Sequence, residues 1–209
     1  MEWMIRLPGL LFSIVVHEFC HGWAAFSLGD RSPELEERLT LNPVPHIDPF
    51  GTLFLPALCF LAGGPMFGWA RPLELDASRR RGAAALKVAL AGPAASLALA
   101  LLAAVASRVA ESAYSLSPEF LDGARGFLRF LVGTNLFLAF FHLLPLHPLD
   151  GSRALRALLP PEAGRAYERL APAASAAVLA ILLIKPLWTV AAVPSDQVAA
   201  LLTRVGLLG

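Results

Sequence analysis

The residues best suited to chemistry are two histidines and a glutamate in the stretch His17-Glu18-Phe19-Cys20-His21. On a helix, positions four residues apart share one face, so His17 and His21 can present two imidazole nitrogens to a single metal ion. Glu18 is then close enough to reach a water bound to that metal. Zinc suits the arrangement because it takes nitrogen and oxygen ligands tetrahedrally and keeps one position open in catalytic sites. Two histidines supply only two ligands, so the pattern requires a third from elsewhere in the chain.

The surroundings of this motif are apolar from Leu7 to Leu28. The same five-residue pattern also occurs by chance on the solvated faces of surface helices. Two histidines and a glutamate are costly to bury in an apolar helix unless something pairs with them. The run also has the length of about 20 residues that crosses a bilayer. These surroundings favour a metal site within a membrane segment.

The composition of the whole chain supports a membrane protein. Of its 209 residues, 56% are hydrophobic and 16% are charged, whereas a soluble domain has about 25% charged residues. The mean hydropathy is +0.62. The net charge of +1 gives no basis for nucleic acid as a partner. The two cysteines lie in apolar runs and predict no disulfide framework.

We therefore predict an all-α polytopic membrane protein with about four to six membrane segments and a short extended or re-entrant piece near 50–75. The lipid bilayer is its surroundings, and a cell membrane is its expected location. Residues 1–209 form a single domain, with a core at 7–170 and a C-terminal membrane segment and tail at 171–209. The apolar runs long enough to cross lie at 7–28, 83–109, 126–149 and 171–193.

Two clusters of positive charge predict the orientation of these segments. Arg79, Arg80 and Arg81 precede the run at 83–109, and further arginines follow the run at 126–149. Positive charge next to a membrane segment marks the cytoplasmic side. The first of these two segments should therefore run outward and the second should run back.

Residues 50–69 are apolar but interrupted by Pro56 and by Gly63-Gly64-Pro65. They predict either a kinked span or a re-entrant segment, because irregular backbone at membrane depth occurs only where protein or a cavity covers it. Phe67, Gly68, Trp69 and Ala70 begin a short extended piece that reaches residue 75. Its unpaired edge could accept a substrate in strand form.

Asp150 is the best candidate for the third ligand. It follows the apolar run at 126–149, precedes Gly151 and lies in a proline-rich turn that could direct it inward. The alternative is an aspartate that caps the next helix. Position alone does not separate the two, and the need for a third ligand favours the metal.

Four motifs together resemble the site-2 protease family of intramembrane zinc metalloproteases, over residues 8 to 170 and in the same order. They are His17-Glu18-x-x-His21, Phe67-Gly68-Trp69-Ala70-Arg71-Pro72, Ala91-Gly92-Pro93, and Asn135 through Leu149-Asp150-Gly151. The chain looks like a short bacterial member without a PDZ or CBS domain. The resemblance implies one zinc per chain, a transmembrane protein as substrate, and cleavage within the membrane near its cytoplasmic face.

Carried over residue by residue, the resemblance makes His17, His21 and Asp150 zinc ligands. It makes Glu18 the catalytic acid and base. The extended piece at 67–75 corresponds to the edge on which the family pairs its substrate.

Two positions depart from the family pattern. His142 stands eight residues before Asp150, where the family often has an asparagine that helps to hold the substrate carbonyl, and an imidazole can still donate a hydrogen bond there. His147 stands where proline is commoner. Both histidines, with Asn135, are candidates to stabilise the oxyanion or to support a metal ligand. The small residues from Ala91 to Ser96 predict close helix packing.

The predicted reaction is hydrolysis of peptide bonds in transmembrane or membrane-associated proteins. One alternative is a catalytically degenerate family member that binds membrane proteins without cutting them, which His142 and His147 keep open. A metal transporter is less favoured. Transport would need polar residues spread along several spans, whereas here they cluster around two short motifs.

Overall fold

The computed structural model describes residues 3–61, 67–71, 82–111 and 117–208. Within these ranges the secondary structure is helical, with no strand, which confirms the predicted all-α class. The helices are α1 Trp3–Ser27, α2 Pro33–Glu36, α3 Leu55–Leu61, α4 Ala83–Glu111, α5 Pro118–His142, α6 Asp150–Leu158, α7 Pro161–Glu168, α8 Ala171–Leu183 and α9 Lys185–Arg204. A 3₁₀ turn at Val44–His46 and a π-helical turn at Pro49–Phe54 precede α3.

Three helices of the described chain are long and apolar enough to cross a membrane: α1, α4 and α5. The pair α7 and α8, bent by 56°, adds a fourth if it counts as one span. The described chain thus has three or four candidate spans, and the larger count equals the lower limit of the four to six segments that the sequence predicts.

Contacts between the long helices define their directions. His21 and His17 on α1 contact Val88 and Ser96 on α4 respectively, so α1 and α4 are antiparallel. The Ser13 hydroxyl accepts a hydrogen bond from the Asn135 amide at 2.9 Å, and four residues later His17 lies beside His142. Helices α1 and α5 therefore run in the same direction, and both approach the site near their C-terminal ends.

Residues 46–71 turn back on themselves. The Trp69 N–H donates to the Gly51 carbonyl at 3.1 Å, and the Arg71 N–H donates to the His46 carbonyl at 2.9 Å. The helical stretch 49–61 rises roughly 20 Å, less than the 30 Å of a bilayer core. These contacts favour the re-entrant alternative for residues 50–69. Residues 72–75 of the predicted extended piece lie outside the described residues.

Two predicted spans have different boundaries in the structure. Helix α5 begins at Pro118, behind the capping hydroxyl of Ser117, and ends at His142. Residues 143–149 then form turns, because Pro145 and Pro148 cannot donate helical hydrogen bonds. The predicted run 171–193 is divided between α8 and α9 at Ile184, because Pro186 cannot continue α8 but fits the first turn of a new helix.

Candidate metal centre

Three potential ligand atoms form a nearly equilateral triangle where α1, α4 and the start of α6 meet. The His17 Nε2 lies 3.0 Å from Asp150 Oδ2, and the His21 Nε2 lies 3.2 Å from that oxygen and 3.2 Å from His17 Nε2. Ligands of a tetrahedral zinc bound at 2.0–2.1 Å are separated by about 3.3 Å. The three atoms therefore match one face of a zinc tetrahedron and fit that metal.

The outer nitrogens of both imidazoles have partners on α4. The His21 Nδ1 lies 2.7 Å from the Val88 carbonyl, and the His17 Nδ1 lies 2.9 Å from the Ser96 hydroxyl. A carbonyl only accepts, so His21 donates from Nδ1, and Nε2 is the nitrogen that can bind a metal once it is deprotonated. Such partners fix the tautomer and orientation of metal-binding histidines.

Gly92 forms the wall behind the two histidines. A Cβ atom at this position would overlap the Nε2 atoms of both His17 and His21. The sequence predicted close packing of small residues here, and the structure shows that imidazole nitrogens occupy the space beside Gly92. Helix α4 therefore shapes the metal centre without supplying a ligand.

The Asp150 side chain is directed into the histidine cluster. It belongs to the first turn of α6, where Leu149 is the N-cap residue and no side chain caps the helix. Its carboxylate is buried and contacts imidazoles, with Arg153 at 3.6 Å from the other oxygen. The close approach depends on Gly151, whose Cβ would overlap the Leu143 and Leu144 carbonyls. Of the two alternatives from sequence, this geometry favours the ligand.

Charge at Asp150 also suits a cation. Burial raises the pKa of the Asp150 carboxyl. His21 and the hydrogen bonds from His142 and His17 lower this pKa by a larger amount, so that it lies well below its usual range. A lowered pKa favours the deprotonated form, which is the form that binds a metal.

His142 provides a second close contact to this carboxylate, with Nδ1 at 2.8 Å from Asp150 Oδ2. His17, His142 and Asp150 also form a group in which one ligand atom from each residue lies within 4.8 Å of the others. This group and the triangle share His17 and Asp150. The triangle with His21 fits zinc better, because its separations of 3.0–3.2 Å are uniform and near the tetrahedral value.

A cleft opens beside the centre. Its lining includes the partly buried Glu18, the ring of His142 and the segment of Gly68, Trp69 and Ala70. Phe67 holds this segment against α5, with its ring centroid 4.8 Å from that of Phe141. The predicted acid and base and the predicted substrate edge thus face one cavity.

The other two predicted residues lie away from the ligand triangle. Asn135 is buried between α5 and α1, where its amide donates to Ser13 and to the Leu131 carbonyl. His147 is exposed, with Nδ1 at 3.3 Å from the Ser175 hydroxyl of α8. Their proposed roles at the oxyanion stay predictions without a contact to the ligand atoms.

Comparison with known proteins gives relatives that extend over most of the chain. The Bacillus subtilis protein named "Putative zinc metalloprotease YwhC" is 36% identical over 182 residues, which cover 85% of this chain and 79% of that protein. The Mycolicibacterium smegmatis protein named "Putative zinc metalloprotease Rip2" is 38% identical over 193 residues, 88% of this chain and 68% of that protein. A Rip2 protein of Mycobacterium tuberculosis is 35% identical, over 85% of this chain and 65% of its own length.

No family model and no solved structure matches the chain. The identities and coverages of the curated relatives nevertheless define its class. The chain belongs to the zinc metalloprotease family of the site-2 protease type that includes YwhC and Rip2.

Proposed function

We propose that this chain is an intramembrane zinc metalloprotease that hydrolyses peptide bonds of transmembrane or membrane-associated proteins. The observation that supports this most directly is the triangle of His17 Nε2, His21 Nε2 and Asp150 Oδ2 beside Glu18. These groups lie among helices long and apolar enough to cross a membrane. The expected location is the cell membrane, as a multi-pass protein of the bacterial inner membrane.

One zinc ion per chain would be held by His17, His21 and Asp150. When bound, zinc polarises the peptide carbonyl and supplies a water of lowered pKa. Glu18 accepts the proton of the attacking water and delivers it to the leaving amine, as a positioned carboxylate does in general acid–base catalysis. The partners of His17 and His21 on α4 keep both rings oriented for this purpose.

The cleft edge would hold the substrate as an extended strand. On one side the backbone of 67–71 is already occupied. The Trp69 N–H donates to the Gly51 carbonyl, and the Trp69 carbonyl accepts from the Thr52 hydroxyl. The Arg71 N–H donates to the His46 carbonyl, and the Arg71 carbonyl accepts from the Arg38 guanidinium. Alternate residues of an extended chain face opposite sides. An extended chain at 67–71 would direct the backbone groups of Gly68 and Ala70 to the other side, where no hydrogen bond joins them to the described residues.

A spanning substrate helix has its backbone hydrogen bonds satisfied internally. It must unwind locally before a peptide bond is accessible, and pairing with Gly68 and Ala70 would replace the bonds that unwinding breaks. The substrate edge thus keeps the opened segment next to Glu18.

A second candidate is a family member that binds membrane proteins without cutting them. His142 favours this second candidate. Its imidazole lies close to Asp150 and, as a fourth protein ligand, could occupy the position that a catalytic zinc keeps open.

Metal analysis and cleavage of a synthetic transmembrane peptide by the purified chain test these proposals. We expect about one zinc per wild-type chain and little in Asp150→Ala, because two ligands do not complete a zinc site. Asp196→Ala, at an exposed position of α9, is the matched control and should keep its zinc. Zinc without cleavage would favour the binding protein, and an unchanged zinc content in Asp150→Ala would contradict the metal centre.

A further inference from the structure

The imidazole of His142 contacts the carboxylate of Asp150, and the geometry of this contact defines the tautomer of the imidazole. Its Nδ1 lies 2.8 Å from Asp150 Oδ2, and both side chains are buried. A carboxylate that binds a metal is deprotonated and only accepts hydrogen bonds, so Nδ1 must carry the proton. We infer that His142 is a positioning residue that fixes the Asp150 ligand through its Nδ1–H, an inference that rests on the proposed function.

The fold places this ring beside the carboxylate and packs other rings against it. His142 is the last residue of α5, and the turn at 143–149 brings Asp150 back to it. The ring packs between His17, at 4.5 Å between centroids, and Phe67, at 5.8 Å. A donor packed in this way helps to keep Asp150 Oδ2 directed at the two histidines of α1.

The tautomer also decides what His142 offers to the cleft that it lines. In a neutral imidazole with the proton on Nδ1, Nε2 bears a lone pair and accepts hydrogen bonds. A substrate carbonyl needs a donor, so neutral His142 does not stabilise an oxyanion through Nε2. The contact with Asp150 thus supports a role of Nδ1–H at the metal ligand, and the role of His142 as oxyanion donor stays a prediction from sequence.

The chemistry of the side chains gives a direct test of this assignment. In asparagine the amide nitrogen is bonded to Cγ, as Nδ1 is in histidine, so His142→Asn keeps a donor at the place of Nδ1. In glutamine the amide is one bond farther out, nearer to the place of Nε2. The two variants thus separate the functions of the two ring nitrogens.

The experiment measures zinc affinity of the full-length chain in detergent by competition with a chelator. It also records the visible absorption of the cobalt-substituted protein, which reports the ligand set without any need for activity. We expect His142→Asn to bind zinc like the wild type. We expect His142→Gln to bind it about 10–100-fold more weakly, the usual loss when an outer partner of a ligand is removed. Both should keep the cobalt spectrum, since no ligand is lost.

Glu162→Gln, at an exposed position of α7, is the control and should leave zinc affinity unchanged. Helical circular dichroism and elution volume of the zinc-free variants report folding. If His142→Gln does not fold, His142→Ala takes its place, because it also lacks the donor and should show the same loss.

Three results would overturn the inference. They are equal zinc affinity in both variants, a loss in His142→Asn with none in His142→Gln, and a cobalt spectrum changed in both, which would make His142 itself a ligand. Cleavage by the wild type is scored separately. A wild type that binds zinc but cuts no substrate would refute the proposed protease and leave the comparison at His142 valid.

Discussion

At the scale of single residues, Glu18 is the side chain on which hydrolysis depends. It lines the cleft beside the ligand triangle, is only partly buried and makes no hydrogen bond to the described residues. A carboxylate in this position is available to take a proton from water and to return it. Glu18→Gln keeps the shape and removes that capacity.

We predict that Glu18→Gln retains zinc and loses cleavage by about 10²–10⁴-fold, the usual contribution of a positioned acid or base. Zinc content and the initial rate on a transmembrane peptide measure the two effects separately. Glu162→Gln, at an exposed position of α7, is the control and should cut at the wild-type rate. Wild-type cleavage by Glu18→Gln would show that another group moves the proton.

At the same scale, residue types predicted the cluster of His17, His21 and Asp150 better than the groups that orient these side chains. His17 and His21 follow from helical spacing, and Asp150 follows from the need for a third ligand. The Val88 carbonyl that orients His21 is not predictable from residue type, because every residue carries a carbonyl. Ser96 is a weak signal among several small residues, and only the antiparallel register of α1 and α4 places it beside His17.

At the scale of elements, helix α4 shapes the centre through its lack of a side chain at residue 92. A Cβ at Gly92 would overlap both Nε2 atoms, so α4 would have to move away from α1 or the rings would have to rotate. Gly133 on α5 offers a contrast, because a Cβ there meets nothing within 4 Å.

We expect Gly92→Ala to lose zinc binding while its helical content is preserved. Overpacking typically costs about 1–3 kcal/mol, and here the strain falls on the ligand nitrogens. Gly133→Ala should keep zinc and cleavage, since alanine is favoured over glycine inside a helix by about 0.5–1 kcal/mol. Metal analysis and circular dichroism of the two variants measure this difference, and equal zinc content in both would contradict the role of Gly92.

The segment at 46–71, which turns back on itself, is held by the hydroxyl of Thr52. The hydroxyl oxygen accepts from the Asp48 N–H at 2.9 Å, and the hydroxyl O–H donates to the Trp69 carbonyl at 2.8 Å. Thr52→Val removes both bonds with little change in shape, at about 0.5–1.5 kcal/mol each.

We predict that Thr52→Val weakens cleavage and leaves zinc content unchanged, because the substrate edge moves while the ligands do not. Thr189→Val is the matched control, since the Thr189 hydroxyl bonds only within its own exposed helical turn. Peptide titrations give the Michaelis constant and the maximal rate. A loss of zinc in Thr52→Val would show that the segment supports the metal instead of the substrate.

The segment also shows where sequence reasoning stopped at the element level. Pro56 and Gly63-Gly64-Pro65 predicted an interruption but left a kinked span and a re-entrant segment equally possible. The choice depends on long-range hydrogen bonds from Trp69 and Arg71 to residues 51 and 46, which no local pattern encodes.

The end of α5 at His142 and the break between α8 and α9 follow from prolines, but apolar runs alone did not locate them.

At the scale of the whole molecule, the parallel α1 and α5 and the antiparallel α4 define two sides. The loop after α1 and the turn after α5 lie on one side, and the start of α5 lies on the other. The basic clusters predict that the first side is cytoplasmic.

We therefore expect a cysteine at Glu119, at the start of α5, to react with an impermeant maleimide in intact cells. A cysteine at Glu34, in α2, should react only after lysis. Both positions are exposed, and the unsubstituted chain reports the background from Cys20 and Cys59. The reverse labelling pattern would invert the orientation.

The position of the two histidines along α1 has a consequence for the choice of bond. His17 and His21 lie six to ten residues before the last residue of α1, so the ligand atoms lie roughly 9–15 Å inward from that helix end at a rise of 1.5 Å per residue. A protease with its metal at a fixed depth would cut its substrates at a fixed distance from the membrane boundary. The distance of a peptide bond from the membrane boundary, more than the side chains around it, would then select the bond that is cut.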